Sequence, residues 1–227
     1  MLKFSNPGPF QDDPTYKAWL WCFAIGVGDY NYYGHRHEKN YLIPETEEGR
    51  FIRMNSLRRD LNIHTKEDMI SALNRQDWDD PSEFDERANF LSTLSMLDRK
   101  KFVQSYVQDQ YEYEKWKCVL DNMDRIPRGA TLAREYAFFL HLCRAAAYLN
   151  FITEEEAFQY AVRVGKKMQN KFSSWLEFGL GYIVGFQYRQ GYFSENKTKE
   201  TWDNIKYLIH HPDSLWNKLD WYTPLDV

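Results

Sequence analysis

The sequence predicts a mainly α, single-domain irregular helical bundle, and three observations carry that prediction. Apolar and aromatic residues recur at spacings of three, four and seven, as in Phe102, Tyr106, Tyr113, Trp116 and Leu120. Threonines or serines followed three positions later by an acid open several of these runs, the signature of a helix start. Aromatic residues make up 17% of the 227 residues, enough ring surface to offset the ordering entropy of one compact core.

Taken in order, residues 1–14 form an irregular N-terminal arm, with Pro7, Pro9 and Pro14 barring regular structure. Residues 15–227 then make a single helical domain, since no repeat or flexible linker divides them. Thr15 to Val27 reads as a buried helix around Trp19, Phe23 and Ala24. From Asp29 to Phe51 no period appears, and this stretch is a long loop or a small strand pair. A short helix follows over Phe51–Leu61. Thr65 to Asp68 resembles a capping box and starts a helix ending near Arg75. Phe84–Leu97 and Asp98–Leu120 read as two helices. Thr131–Leu149 carries an apolar stripe through Leu132, Tyr136, Phe139, Leu140, Cys143 and Ala147. Full capping boxes at Thr153–Glu156 and Ser174–Glu177 open the next two helices. Gly179, Gly181 and Gly185 lie on the second of these, where each glycine costs about 1 kcal/mol relative to alanine. Their use is to let a neighbouring helix approach closely. Trp202–Leu208 and Asp213–Leu219 close the chain as short helices.

Charge and composition exclude several functions. A net charge of −4 and a pI near 5.9 predict no nucleic-acid binding, which calls for a basic patch. Mean hydropathy is −0.69, and the longest apolar stretch near the N-terminus, Ala18–Val27, is too short to span a bilayer. With no apolar signal core before it, the expectation is a cytoplasmic protein without a membrane anchor. The three cysteines, Cys22, Cys118 and Cys143, have neither metal spacing nor a disulfide framework, which fits reduced thiols.

Two blocks in the C-terminal half resemble a bacterial family, the domain-of-unknown-function 1266 family. The first is Arg144–Tyr148 followed by Phe151–Ala157; the second is Phe172–Phe178 followed by Gly181–Gly185. The resemblance lies mainly over residues 131–191 and implies a helical bacterial cytoplasmic protein, with no established reaction. Family members often carry a Trp-Asp pair and a second arginine upstream of the position of Arg144. Here those places hold Arg134, Glu135 and Phe138, so this chain keeps only part of that polar set.

Candidate polar groups are few. Glu135, His141 and Arg144 share one predicted helix and form a candidate polar site, with Arg144 able to bind an anion or to pair with Glu155 or Glu156. Asp77, Asp79, Asp80, Glu83, Asp85 and Glu86 form an acidic run around Pro81, readable as a helix-start face or as a docking patch for a basic protein. Pro81 and the missing glycine exclude an EF-hand loop. His35, His37, His210 and His211 lack the spacing of a zinc site, and no metal or cofactor is expected. Gly26-Val27-Gly28 is no phosphate loop, and no serine stands in a nucleophile-elbow context. The aromatic tail, Trp216 to Tyr222 with Tyr192 and Phe193 before it, reads as core.

The functional expectation is therefore a protein–protein interaction module, such as an immunity or antitoxin protein or a regulatory partner. The alternative is an enzyme whose site is assembled from facing helices around Glu135 and Arg144. Self-association through the glycine-bearing helix is a further expectation.

Overall fold

A computed structural model describes residues 13–24, 47–75, 83–190, 195–212 and 214–226. Its helices are α1 (Pro14–Phe23), α2 (Glu47–Leu61), α3 (Lys66–Asn74), α4 (Glu83–Ser92), α5 (Met96–Gln104), α6 (Gln110–Asn122), α7 (Leu132–Tyr148), α8 (Glu154–Lys171), α9 (Trp175–Gln190), α10 (Glu195–His210) and α11 (Leu215–Lys218). No strand occurs among the described residues, and the mainly α class holds. Of the arm expected over residues 1–14, residues 1–12 lie outside the described residues, as do the end of the first predicted helix at 25–27 and the loop or strand pair at 29–46. Asp13 and Pro14 instead open α1, Asp13 as its cap and Pro14 at the first helical position, where the missing N–H costs nothing. Residues 47–51 of that stretch belong to α2.

The helix expected over Trp202–Leu208 is longer, Glu195–His210. Two helices in the middle of the chain end or break where the sequence reading did not, each for a local reason. The predicted helix Phe84–Leu97 stops at Ser92, where the Ser92 and Thr93 hydroxyls donate to the carbonyls of Asn89 and Phe90. The predicted helix Asp98–Leu120 is two helices broken at residues 105–109. Ser105 donates its hydroxyl to the Phe102 carbonyl, and Asp109 turns extended to cap α6 by accepting from the Glu112 N–H at 3.2 Å. The aromatic spacing runs on through the break, yet the Phe102 and Trp116 rings meet at 4.9 Å. One straight helix would hold those residues about 21 Å apart. Tertiary packing folds the pattern back on itself.

The chain's contacts fall into two compact units, and the chain crosses between them inside α7, α8 and α10. The first comprises residues 1–76, 136–170 and 206–227. Its centre is α1, which is apolar all round: every residue from Ala18 to Ala24 is buried. Trp21 meets the edge of Trp221 with ring centroids 5.2 Å apart. The Trp216 indole donates to the Ala24 carbonyl at 2.8 Å. Gln169 of α8 donates to the carbonyls of Trp221 and Thr223, which fastens the C-terminal tail. Trp216 and Trp221 are core, as the sequence indicated, whereas Tyr222 is exposed. On the other side of α8, Arg163 donates to the Leu73 carbonyl and Tyr160 to Asn74, which holds α3.

Helix ends in this unit are closed as their sequences dictate. Thr65 and Asp68 form a reciprocal capping box, and so do Thr153 and Glu156. Asn150 takes the left-handed conformation (φ 58°) after α7, with the Phe151 N–H reaching back to the Ala146 carbonyl. Backbone N–H groups of His64 and Thr65 hold the Asp68 carboxyl below its usual range, and that of Thr153 does the same for Glu156. A native carboxyl below its unfolded value stays ionised while the unfolded chain takes up the proton. This stabilisation is complete above about pH 5 and drains away as pH falls through the unfolded value near 4 and on to the native one. Asp68→Asn and Glu156→Gln should therefore destabilise at pH 7 and lose that effect by pH 2–3 (about), read from urea midpoints across the range. A gap that persists undiminished in acid removes this account.

The second unit comprises residues 77–135 and 171–205. Its core is Phe84, Ala88, Leu91, Val103, Cys118, Val119, Val184 and Tyr188, with α4, α5 and α9 all packed on α6. At the start of α9 the predicted box is shifted by one residue. Ser174 accepts from the Glu177 N–H, but the Glu177 carboxylate returns to the N–H and hydroxyl of Ser173. Gly181 and Gly185 of α9 are used inside this unit. A Cβ on Gly181 would lie 2.3 Å from the Ala130 carbonyl oxygen, and one on Gly185 2.5 Å from that of Thr131. The close neighbour is a backbone turn, where the sequence pointed to a helix.

Candidate functional site

In the second unit, α4, α5 and α6 build a braced platform. Arg87 of α4 donates to Glu112 of α6 at 2.8 Å and to Glu83 one turn back at 2.5 Å, with its guanidinium 4.5 Å from the Trp116 ring centroid. Lys115 donates to the same Glu83 at 3.0 Å. Burial alone would raise the Glu83 carboxyl, but hydrogen bonds from Lys115 and Arg87 outweigh it and hold it low. Burial likewise works against the charged forms of Arg87 and Lys115, and their carboxylate partners more than compensate. Tyr188 lies beside them on α9. Burial pushes its phenol up, and its hydroxyl, near enough to feel Glu83, makes no hydrogen bond of ordinary geometry. Two acids and two bases neutralise one another here, so the cluster acts as a clamp between α4 and α6.

Asp85 fixes the start of α4. It is buried and accepts the Gly129 N–H on both carboxylate oxygens, at 3.0 and 3.1 Å. Gly129 sits at φ 71°, which glycine adopts freely. At the other end of α4, the Arg99 guanidinium donates to the carbonyls of Leu91 and Leu94, capping the helix with a positive charge.

This bracing sets the orientation of α5. At 100° per residue, Arg99, Phe102 and Val103 fall on one side of α5. Val103 is buried, and Phe102 joins a ring cluster with Phe90, Tyr106 and Trp116. Met96, Leu97, Lys100, Lys101 and Gln104 fall within an adjoining arc of about 140° that runs from beside Val103 away from Arg99 and Phe102, and all five are exposed. Met96 is 57% and Leu97 62% exposed. Neither Lys100 nor Lys101 makes an ion pair among the described residues.

The candidate residues from the sequence distribute differently. Asp77, Asp79 and Asp80 lie outside the described residues. Of the rest of the acidic run, Asp85 and Glu83 hold structural partners within the unit, and Glu86 is exposed on the first turn of α4. Glu135, His141 and Arg144 all lie on α7. Nine residues separate Glu135 from Arg144, which sets them on opposite sides of that helix and about 13 Å apart along it. Glu135 pairs with its neighbour Arg134 at 2.8 Å. His141 meets buried Arg53 at 2.5 Å between Nε2 and the guanidinium, which can only donate. Arg144 is buried in the first unit. Glu156 serves the Thr153 cap, and Glu155 accepts from Gln159. Cys22, Cys118 and Cys143 are free and buried, and burial raises all three thiols.

His35 and His37 lie outside the described residues, as do Gly26, Gly28, Tyr192 and Phe193. Among the described residues no three His, Cys, Asp or Glu side chains are grouped as metal ligands. No described helix is long and apolar enough to cross a membrane. What sequence reasoning missed is the α5 face. Its signal was present, since Met96-Leu97 and Lys100-Lys101 recur four apart, but the face could not be oriented until the helix was known to end at Gln104.

Fold and site together define an all-α protein with a braced three-helix platform. The chain belongs to the family described as "Protein of unknown function (DUF1266)", whose profile matches residues 56–221. The match reaches from within α2 to the C-terminal tail, well beyond the 131–191 region where the resemblance was first legible. No curated protein and no solved structure matches the chain.

Proposed function

We propose that this chain is a protein–protein interaction module, a regulatory or immunity-type partner, and that α5 is its contact helix. The observation that supports this reading is the exposure of Met96 and Leu97 on a helix that packs into its unit through Phe102 and buried Val103. Five of the ten exposed large apolar or aromatic side chains among the described residues lie between Phe90 and Tyr111. Scattered surface apolar residues are ordinary; what supports a contact surface here is that Met96 and Leu97 are adjacent on α5 and both more than half exposed. Arg99, Phe102 and Val103 hold α5 against α4 and α6 before a partner arrives, which lowers the ordering cost of binding.

A photo-crosslinking residue installed at Leu97, with the same residue at exposed Glu67 of α3 as control, tests this in cells of the native source. A discrete partner joined at position 97 and not at 67 is the expected result. Equal or empty labelling at both positions discards the reading.

A further inference from the structure

We infer that the partner of α5 presents an acidic amphipathic helix, a proposal that rests on the contact surface above and names its chemistry. The α5 face interleaves two large apolar side chains with two lysines: Met96 and Lys100 lie one turn apart, as do Leu97 and Lys101. The lysines find no carboxylate within the described fold, although acids pair with Arg87, Arg99, Lys115 and Lys117 around them. A helix dipole favours cations near its C-terminal end, which accounts for a lysine at position 101. It does not account for the exposed Met96 and Leu97 beside them. A helix with apolar residues along one stripe and carboxylates at its margins matches both features at once.

Nucleic acid and anionic lipid share the negative charge but fit less well. Both are extended polyanions that sense the whole molecule, and this chain carries a net charge of −4. A single acidic helix reads charge over about one Debye length, roughly 8 Å at physiological salt. Over that distance Lys100 and Lys101 outnumber Asp98, the one carboxylate of α5, which already accepts from the Ser95 hydroxyl.

The test uses the full chain and two synthetic helical peptides with leucines at positions i, i+3, i+4 and i+7. In one the leucine stripe is flanked by glutamates, in the other by lysines at the same places. Binding is followed by fluorescence anisotropy, with amide chemical shifts locating the contact. The acidic peptide should bind at least about tenfold tighter than its basic twin, shift α5 amides, and weaken with added salt. Lys100→Glu with Lys101→Glu should reverse the preference, and Met96→Ser with Leu97→Ser should abolish binding of both peptides. All four positions are solvent-exposed, and thermal melts confirm that the variants fold. Equal affinity for the two peptides, or a preference untouched by charge reversal, overturns the proposal. So does lysine-dependent binding to phosphatidylglycerol vesicles without peptide binding, which would assign the face to a lipid surface. A crosslinked partner at Leu97 whose joined peptide is not acidic sinks this inference and leaves the interaction reading standing. An absent crosslink removes that reading, and the peptide arm then decides the chemistry of the face alone.

Discussion

Gly181→Val should destabilise the protein by at least about 3 kcal/mol, and Gly181→Ala by nearly as much. The new Cβ would stand 2.3 Å from the Ala130 carbonyl oxygen and 3.0 Å from its carbon, distances at which something must move. What must move is backbone, not the end of a flexible side chain. The turn at Ala130 is pinned one residue away by the Gly129 N–H on Asp85, so yielding there also disturbs the start of α4. Gly165→Ala is the informative contrast. Its nearest neighbour is the Cδ1 of Leu225 at 2.9 Å, a side-chain tip that can rotate away, so a smaller loss is expected. Urea midpoints at constant slope measure both. If Gly181→Ala costs under about 1 kcal/mol, the close approach of α9 to the turn is wrong.

Trp21→Ala should cost about 4 kcal/mol, the upper part of the range for truncating a fully buried aromatic residue. Trp21 is 0% exposed, lies edge-on to Trp221, and faces the surface of α8 at Gly165. The cavity left behind cannot collapse easily, because the tail around Trp221 is tied to α8 through Gln169. Trp202→Ala, at a residue 36% exposed on α10, should cost far less. Equilibrium unfolding of the two variants side by side reads the difference. Similar losses would show that α1 is not the centre of its unit.

Much of the architecture is legible in the sequence, because its signals are local. The Thr65 and Thr153 boxes need only residues within one turn, and both form as read. The stripe of α7 follows from helical period alone. The Ser174 box was nearly right: the hydroxyl caps the Glu177 N–H, but the carboxylate finds Ser173, a neighbour equally within reach. Helix breaks were harder. The α5–α6 break hides inside an unbroken aromatic period, since the same rings that mark a helical face also suit a folded-back contact.

The candidate site was least legible. Asp85 and Glu83 read as solvated acids in a charge run, whereas their partners, Gly129 and Lys115, lie 44 and 32 positions away. Glu135, His141 and Arg144 looked like one set because they share a helix, and it is helix geometry that places Glu135 on the side away from Arg144.

By itself, then, the sequence determined the helical class, most helix starts, the burial of the Trp216–Trp221 tail and the family. These follow from the 3.6-residue period and from caps, which neighbouring residues settle among themselves. Only the tertiary structure decided which acids are spent on structure, what the α9 glycines approach, and which side of α5 is left facing water. Each of those depends on pairs distant in sequence, and a chain carries no local mark of which distant group will meet it.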